Sequence, residues 1–257
     1  SAYAAGVINP GDILFKFGGA VDILVSTSAV APDPAMFLDY HLVPGLFMPN
    51  GCMSTGGSGI NWFARTFAAD VPDATADEDP LARLRHLDAL AAEIPAGSEG
   101  LIFLPYFLGE KTPIHDASLR GTLTGLSLTH TLGHSWRALL EGYAYAIAHH
   151  VEVLRGMGHA VSTCYVSDGG ANSGIWMQIL SDTLQLPLQR LSGHPGSCLG
   201  AAWVAAIGAG LVTDWNAVSN FITKGDVFEP NPAHAAVYAS GYKRFRDLHA
   251  RLSGFEQ

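Results

Sequence analysis

The stretch from Ala160 to Pro187 constrains the fold more than any other part of the chain. A β-rich run, Ala160 to Val166, meets a glycine turn at Gly169 and Gly170, and an amphipathic helix is predicted from about Asn172 onward. Glycines lack Cβ, so their backbone N–H groups can approach a ligand closely. A helix N-terminus adds unpaired donors and partial positive charge, which suits phosphate or a nucleotide. The same residues also describe an ordinary strand–turn–helix, and by themselves they leave both readings open.

Composition narrows the classes. With 257 residues, 48% of them hydrophobic and 14% charged, the chain is long enough for one large domain or two small ones around a well-buried core. A net charge of −9 argues against a nucleic-acid surface. Cys52, Cys164 and Cys198 are too few and too scattered for a disulfide framework or a zinc site, and a reducing cytoplasm is the expected compartment. No apolar run reaches the roughly 20 residues that span a bilayer, and no signal peptide is visible, so no membrane partner is expected. The chain lacks an initiator Met, and Ser1 to Gly6 reads like the middle of a helix. A fragment of a longer chain is therefore expected.

Taken in order, Ile13 to Phe17 and Val21 to Ser26 flank Gly18-Gly19 and predict a hairpin. Such a turn can offer amides to an anion or be a plain turn. Asp22 reads as a turn residue or as an acidic group near a metal–phosphate. Leu42 to Met48 is a short strand candidate broken by Pro44-Gly45. The small residues Cys52 to Gly59 feed a helix over Ile60 to Ala68 and suit close approach of a ligand or of another backbone. Val71 to Asp79 reads as an acidic loop. Leu81, Leu84, Leu87 and Leu90 predict an amphipathic surface helix. Leu101 to Leu104 reads as a buried strand, and Pro105 to Arg120 as a long irregular segment of the kind that is often functional. His115 and Asp116 lie there without the further ligands that a metal needs. Ser135 to Leu154 predicts the longest helix, in which His149 and His150 read as structural. Leu186 to Leu191 is a strand candidate. Gly196 to Ala209 is apolar on nearly every side and predicts a helix buried against a sheet or another domain. Trp215 to Ile222 and Ala233 to Leu252 are read as further helices.

Several of these segments together resemble the carboxy-terminal half of the FGGY family of carbohydrate kinases. Gly121-Thr122-Leu123-Thr124-Gly125-Leu126 followed by His134 to Glu141 resembles the family's second signature, departing at Ser135. Leu104-Pro105-Tyr106 with Gly109 to Pro113 is similar to its loop of the form PY…GE[RK]TP. Gly169-Gly170-Ala171-Asn172, with Trp176, Gln178 and Asp182, resembles its adenosine-binding segment. Asp168 stands where many sugar kinases have a third glycine. Gly18-Gly19 matches the phosphate-binding hairpin, with Gly19 in place of the usual Thr. Gly57 to Trp62 resembles the turn beside the ATP phosphates, with Asn61 where glycerol kinases carry Gln.

The resemblance implies an α/β fold, an actin-like ATPase domain of the ribonuclease H type, with a mixed sheet and helices on both faces. It implies that residues 1–257 form the ATP-binding half and that the amino-terminal, sugar-binding domain lies outside them. ATP contacts are expected at Gly18, Gly19, Ala20, Gly57, Asn61, Gly169, Gly170, Ala171 and Asn172, and a bulky residue at Gly170 is expected to intrude on the nucleotide. No catalytic residue and no metal ligand is expected within the chain. The general-base Asp belongs just before Ser1, so the fragment by itself is expected to be inactive, and Mg2+ is held by the nucleotide and the other domain. The implied activity is phosphorylation of a ketopentose such as xylulose or ribulose. A glycerol or other polyol kinase, or a silent sugar-sensing relative, is the alternative. The implied partners are ATP, a sugar, the amino-terminal domain and, as an open option, a second copy.

Overall fold

A computed structural model describes residues 1–69, 81–194 and 196–254. The acidic loop expected at Val71 to Asp79 lies outside them. The elements in chain order are β1 (Asp12–Phe17), β2 (Val21–Val25), β3 (Phe37–Tyr40), β4 (Phe47–Met53), α1 (Gly57–Phe67), α2 (Ala82–Ala92), β5 (Ile102–Leu104), β6 (Thr122–Thr124), α3 (Leu132–Gly156), β7 (Thr163–Ser167), α4 (Gly174–Leu184), β8 (Leu188–Ser192), α5 (Ser197–Gly208), β9 (Thr223–Phe228) and α6 (Ala235–Leu252). Short 3-10 turns sit at Tyr3–Ala5, Gly169–Asn172 and Trp215–Phe221, among others.

Seven strands form one mixed sheet in the order β3-β4-β2-β1-β7-β8-β9. The strands β1 to β4 pair antiparallel, whereas β1–β7 and β7–β8 are parallel and β9 returns antiparallel on β8. β1 sits at the centre, and the alternation of its side chains divides the molecule into layers. Ile13, Phe15 and Phe17 face the main core, which α1 to α4 and α6 complete with Phe63, Leu87, Trp136, Tyr143, Trp176 and Phe245. Leu14 faces the other way, toward Ala2, Ala5, Val7 and Leu191. Helices α1 to α4 and α6 therefore cover one face, the amino-terminal 3-10 turn packs on the other, and the mixed sheet with its helices is the actin-like α/β architecture that the resemblance implied.

Departures from the sequence reading have local causes. Pro44-Gly45 forms a turn, so the expected strand at Leu42 to Met48 begins only at Phe47 and continues to Met53. β3 and β9 have mostly exposed side chains and no apolar alternation, which is why neither was foreseen. Trp215–Phe221 is a 3-10 turn rather than an α-helix. α5 is a helix as expected, yet only Gly200 and Trp203 are buried along it, with Val204 39% exposed. It is therefore not buried against the sheet.

The segment Pro105 to Arg120 is irregular but tightly fastened. Glu110 Oε1 accepts from the N–H groups of Ser54 (2.7 Å) and Lys111 (2.8 Å). The hydroxyl of Thr112 accepts from Cys52 N–H at 2.6 Å and lies 3.1 Å from His150 Nε2. His150 Nδ1 is 2.8 Å from the Ala146 carbonyl and must donate to it, so Nε2 is the acceptor and Thr112 donates. Burial holds the His150 imidazole down to about 4 and therefore neutral. The loop thus clamps the end of β4 to α3. Buried Arg137 and Glu141 (2.9 Å) tie α3 to the Gly97–Ser98 turn and to Tyr238 of α6.

Candidate functional site

The glycine segments converge on one cleft of about 570 Å³. Its walls are the β1–β2 turn (Phe17, Gly18, Gly19), the first turns of α1 (Gly57, Ser58, Ile60, Asn61), the start of α2 (Leu81, Leu84, Arg85, Asp88), Trp136 and Leu140 of α3, and the segment Asp168 to Trp176. Of the residues singled out from the sequence, Gly18, Gly19, Gly57, Asn61, Gly169, Gly170 and Asn172 line it. Ala20 and Ala171 do not: Ala20 lies under the turn against Gly56, and Ala171 is buried at 1% exposure.

The turn is held by backbone bonds. Register pairs Phe17 with Val21, which leaves Gly18-Gly19-Ala20 as the loop. Its carbonyls are taken by α1: Gly57 N–H donates to Gly18 O (2.9 Å), while Ser58 N–H (3.0 Å) and Ser58 Oγ (2.8 Å) donate to Gly19 O. A Cβ on Gly57 would stand 2.8 Å from Gly18 O, and one on Gly56 2.9 Å from the Ala20 carbonyl carbon. These two glycines are required by the approach of turn and helix, so at α1 the small residues serve another backbone. Gly19 and Gly169 differ, because a Cβ on either would meet nothing within 4 Å.

Gly170 faces inward. A Cβ there would lie 2.8 Å from both Phe17 Cβ and Trp176 Cζ3. The expectation that a bulky residue at this position would intrude on a ligand is therefore corrected: it would first collide with the core. Asp168, at the end of β7, has φ 70° and ψ −170°, a backbone region that is essentially glycine's. That geometry explains why a glycine suits this position in similar segments. Its Oδ2 accepts from Ser167 Oγ at 2.7 Å. At the same end of the cleft Lys16 and Asp22 form an ion pair across β1 and β2 (3.2 Å). Ser1 comes within electrostatic reach of Lys16, Asp168 and Asp22. The first residue of the chain thus lies beside these charges.

The far wall was not foreseen. Leu81, Leu84 and Asp88 share one face of α2, which read as a surface helix, while Leu87 enters the core. The signal was present, since Asp88 falls at i+7 from Leu81 on the apolar stripe. Trp136 Nε1 donates to Asp88 Oδ1 at 2.9 Å. Burial raises the Asp88 pKa, against the stabilising bonds of Trp136 and of the neighbouring Ser173 hydroxyl. Gln178 and Asp182 stay outside the cleft, where Gln178 Nε2 donates to Asp182 (2.8 Å) and Asp182 pairs with His234 (2.7 Å). In the Pro105–Arg120 segment His115 packs its ring on Phe37, and Asp116 accepts from Ser118 N–H at 2.8 Å. Among the described residues no group of three His, Cys, Asp or Glu side chains is placed to hold a metal.

Comparison with known proteins identifies the family. The profile of the FGGY family of carbohydrate kinases, C-terminal domain, matches residues 19–209. A xylulose kinase of Staphylococcus epidermidis is 31% identical over 98% of this chain and 50% of its own length. A gluconokinase of Bacillus subtilis is 26% identical over 98% of this chain and 49% of its own. The crystal structure of xylulose kinase from Rhodospirillum rubrum superposes with a TM-score of 0.89 at 51% identity, covering 99% of this chain and 50% of that one. The chain spans about half the length of the curated relatives it matches. It belongs to the FGGY family of carbohydrate kinases and corresponds to the C-terminal domain of that family.

Proposed function

We propose that the whole protein transfers the γ-phosphoryl group of ATP to a hydroxyl of a ketopentose, with xylulose as the first choice, and that residues 1–257 supply the nucleotide-binding wall. The observation that carries this reading is the meeting of Gly18-Gly19, Gly57-Asn61 and Gly169-Asn172 at one cleft, in a chain of this family. With the turn carbonyls engaged by α1, the turn's own N–H groups at Gly18 and Gly19 are the donors assigned to the phosphates, and Ala20 supports the turn from behind. Gly169, Gly170 and Asn172 are assigned to the adenosine, with Asn61 beside the phosphates. Ala171 supports this segment from the core.

Phosphoryl transfer rests on positioning and on charge stabilisation, and this half supplies backbone donors for both. The base that deprotonates the acceptor is assigned to the amino-terminal half, on the segment that enters at Ser1 beside Lys16, Asp22 and Asp168. Magnesium is assigned to the nucleotide and to that half; among the described residues the carboxylates at the turn end of the cleft are Asp168 and Asp22, and Asp22 is paired with Lys16. The exposed apolar side of α5 is the seat we assign to the amino-terminal half. A cytoplasmic location is in keeping with Cys52, Cys164 and Cys198 all being free, and no helix among the described residues is long and apolar enough to cross a membrane.

The test is to assay the whole protein against ketopentoses, glycerol, other polyols and gluconate with coupled ADP detection. Turnover is expected with xylulose first and ribulose next. Preference for glycerol or gluconate would move the assignment within the family, and absence of turnover with every acceptor would overturn the kinase reading.

A further inference from the structure

We propose that Asp88 reads the base: its carboxylate accepts a hydrogen bond from the exocyclic amine of a 6-aminopurine, making this residue the determinant of adenine over 6-oxopurine nucleotides. The inference rests on the reading of the cleft as a nucleotide site. Among the described residues two acidic side chains line that cleft, Asp168 and Asp88. Asp168 is at the end that also holds the glycine turn, Lys16 and Ser1, where phosphate is assigned. Asp88 instead lines the cleft with Leu84, Trp136, Leu140 and Trp176, flat and aliphatic surfaces that suit an aromatic ring, and with the polar Arg85 and Ser173.

A carboxylate in such surroundings needs donors, and the cost of leaving it short of them is high. Trp136 supplies one, and it fixes the carboxylate through Oδ1. The Ser173 hydroxyl supplies another, and the carboxylate lone pairs that remain can accept from a ligand. A carboxylate only accepts, so it attracts the exocyclic amine of adenine and repels the carbonyl oxygen that a 6-oxopurine carries at the same position. The bond to Trp136 is what orients that acceptor, so the pair works as a unit.

The experiment compares kcat/KM of the whole protein for ATP, ITP and purine riboside triphosphate, which differs from ATP only in lacking the amine. In the wild type, ATP should exceed the purine riboside analogue by about tenfold to a hundredfold, the range of one hydrogen bond to a charged group. Asp88→Asn can still accept from Trp136 Nε1 but presents an amide donor to the base. Its ratio of ATP to ITP should fall by about tenfold or more. Melting curves identify folded protein, and if the variant does not fold, the wild-type comparison decides alone. Equal use of ATP and the purine riboside analogue by the wild type, or an unchanged ATP-to-ITP ratio in folded Asp88→Asn, would overturn the proposal and leave Asp88 a brace for Trp136. Wild-type protein that uses no nucleoside triphosphate would instead overturn the nucleotide reading itself, and this inference with it.

Discussion

At the scale of single residues, the two neighbouring glycines of the adenosine segment have opposite duties. Gly170 is needed because Phe17 and Trp176 leave no room for a Cβ, whereas Gly169 borders open space. Gly170→Val is therefore predicted to act on the fold, lowering stability by about 1–3 kcal/mol through overpacking, visible as a lower urea midpoint. Gly169→Val should fold nearly as well as the parent and raise the KM for ATP about tenfold or more in the whole protein. If the Gly169 variant binds ATP normally, the adenosine does not lie against this segment. Much of this was legible in the sequence: the Gly-Gly pair marked the place, but which glycine faces the ligand depends on Phe17 and Trp176, brought there by the sheet. Asp168 is similar, because its strained φ of 70° follows from the exit angle of β7 and from no local sequence rule.

Among the elements, the Pro105–Arg120 segment shows how an irregular stretch earns its order from partners elsewhere. Its role could not be read locally, since the groups that fix it are the backbone of β4 and His150 of α3. α2 and α3 were legible from their periodicity, while α5 looked like a core helix and proved exposed, because periodicity reports polarity and not the presence of a neighbour. β3 and β9 were illegible, as edge strands with exposed side chains carry no apolar signal. The clamp carries a pH signature. Burial, opposed by the N–H groups of Ser54 and Lys111, pushes the Glu110 carboxyl from 4.5 up to about 7. The folded state then holds a proton that the unfolded chain has lost between those values. The stability Glu110 contributes is complete below the unfolded value and is lost as pH rises through 7, on the order of 3 kcal/mol in all. His149, held down to about 3, and His150, held down to about 4, contribute the opposite slope below neutrality. The difference between the wild type and Glu110→Gln isolates the carboxyl. Denaturant unfolding should show the variant gaining on the wild type from pH 5 to pH 8, and parallel profiles would mean that Glu110 is ionised throughout.

For the whole molecule, the unmatched surface is the apolar side of α5, where Ala201, Ala202, Val204 and Ala205 are accessible and Val204 is 39% exposed. Residues 1–257 alone should therefore self-associate, and Val204→Lys should shift them toward monomer in sedimentation velocity. A wild-type fragment that stays monomeric at all concentrations would show that this side needs no cover. The fold class was implied by the order of motifs along the chain, yet the sheet order was not, because its central seam joins distant segments. β1 pairs with β2, and β2 with β4, through short connections, but the other edge of β1 waits for β7, with Asp12 beside Thr163. During synthesis from the amino end, the antiparallel half of the sheet is complete long before its parallel partner has left the ribosome. For that interval the most buried strand of the finished protein is an open edge, able to pair with any extended chain nearby. The same seam that centres the cleft in the folded state thus makes the unfinished chain depend on the rate of its own translation and on chaperones that shield strands.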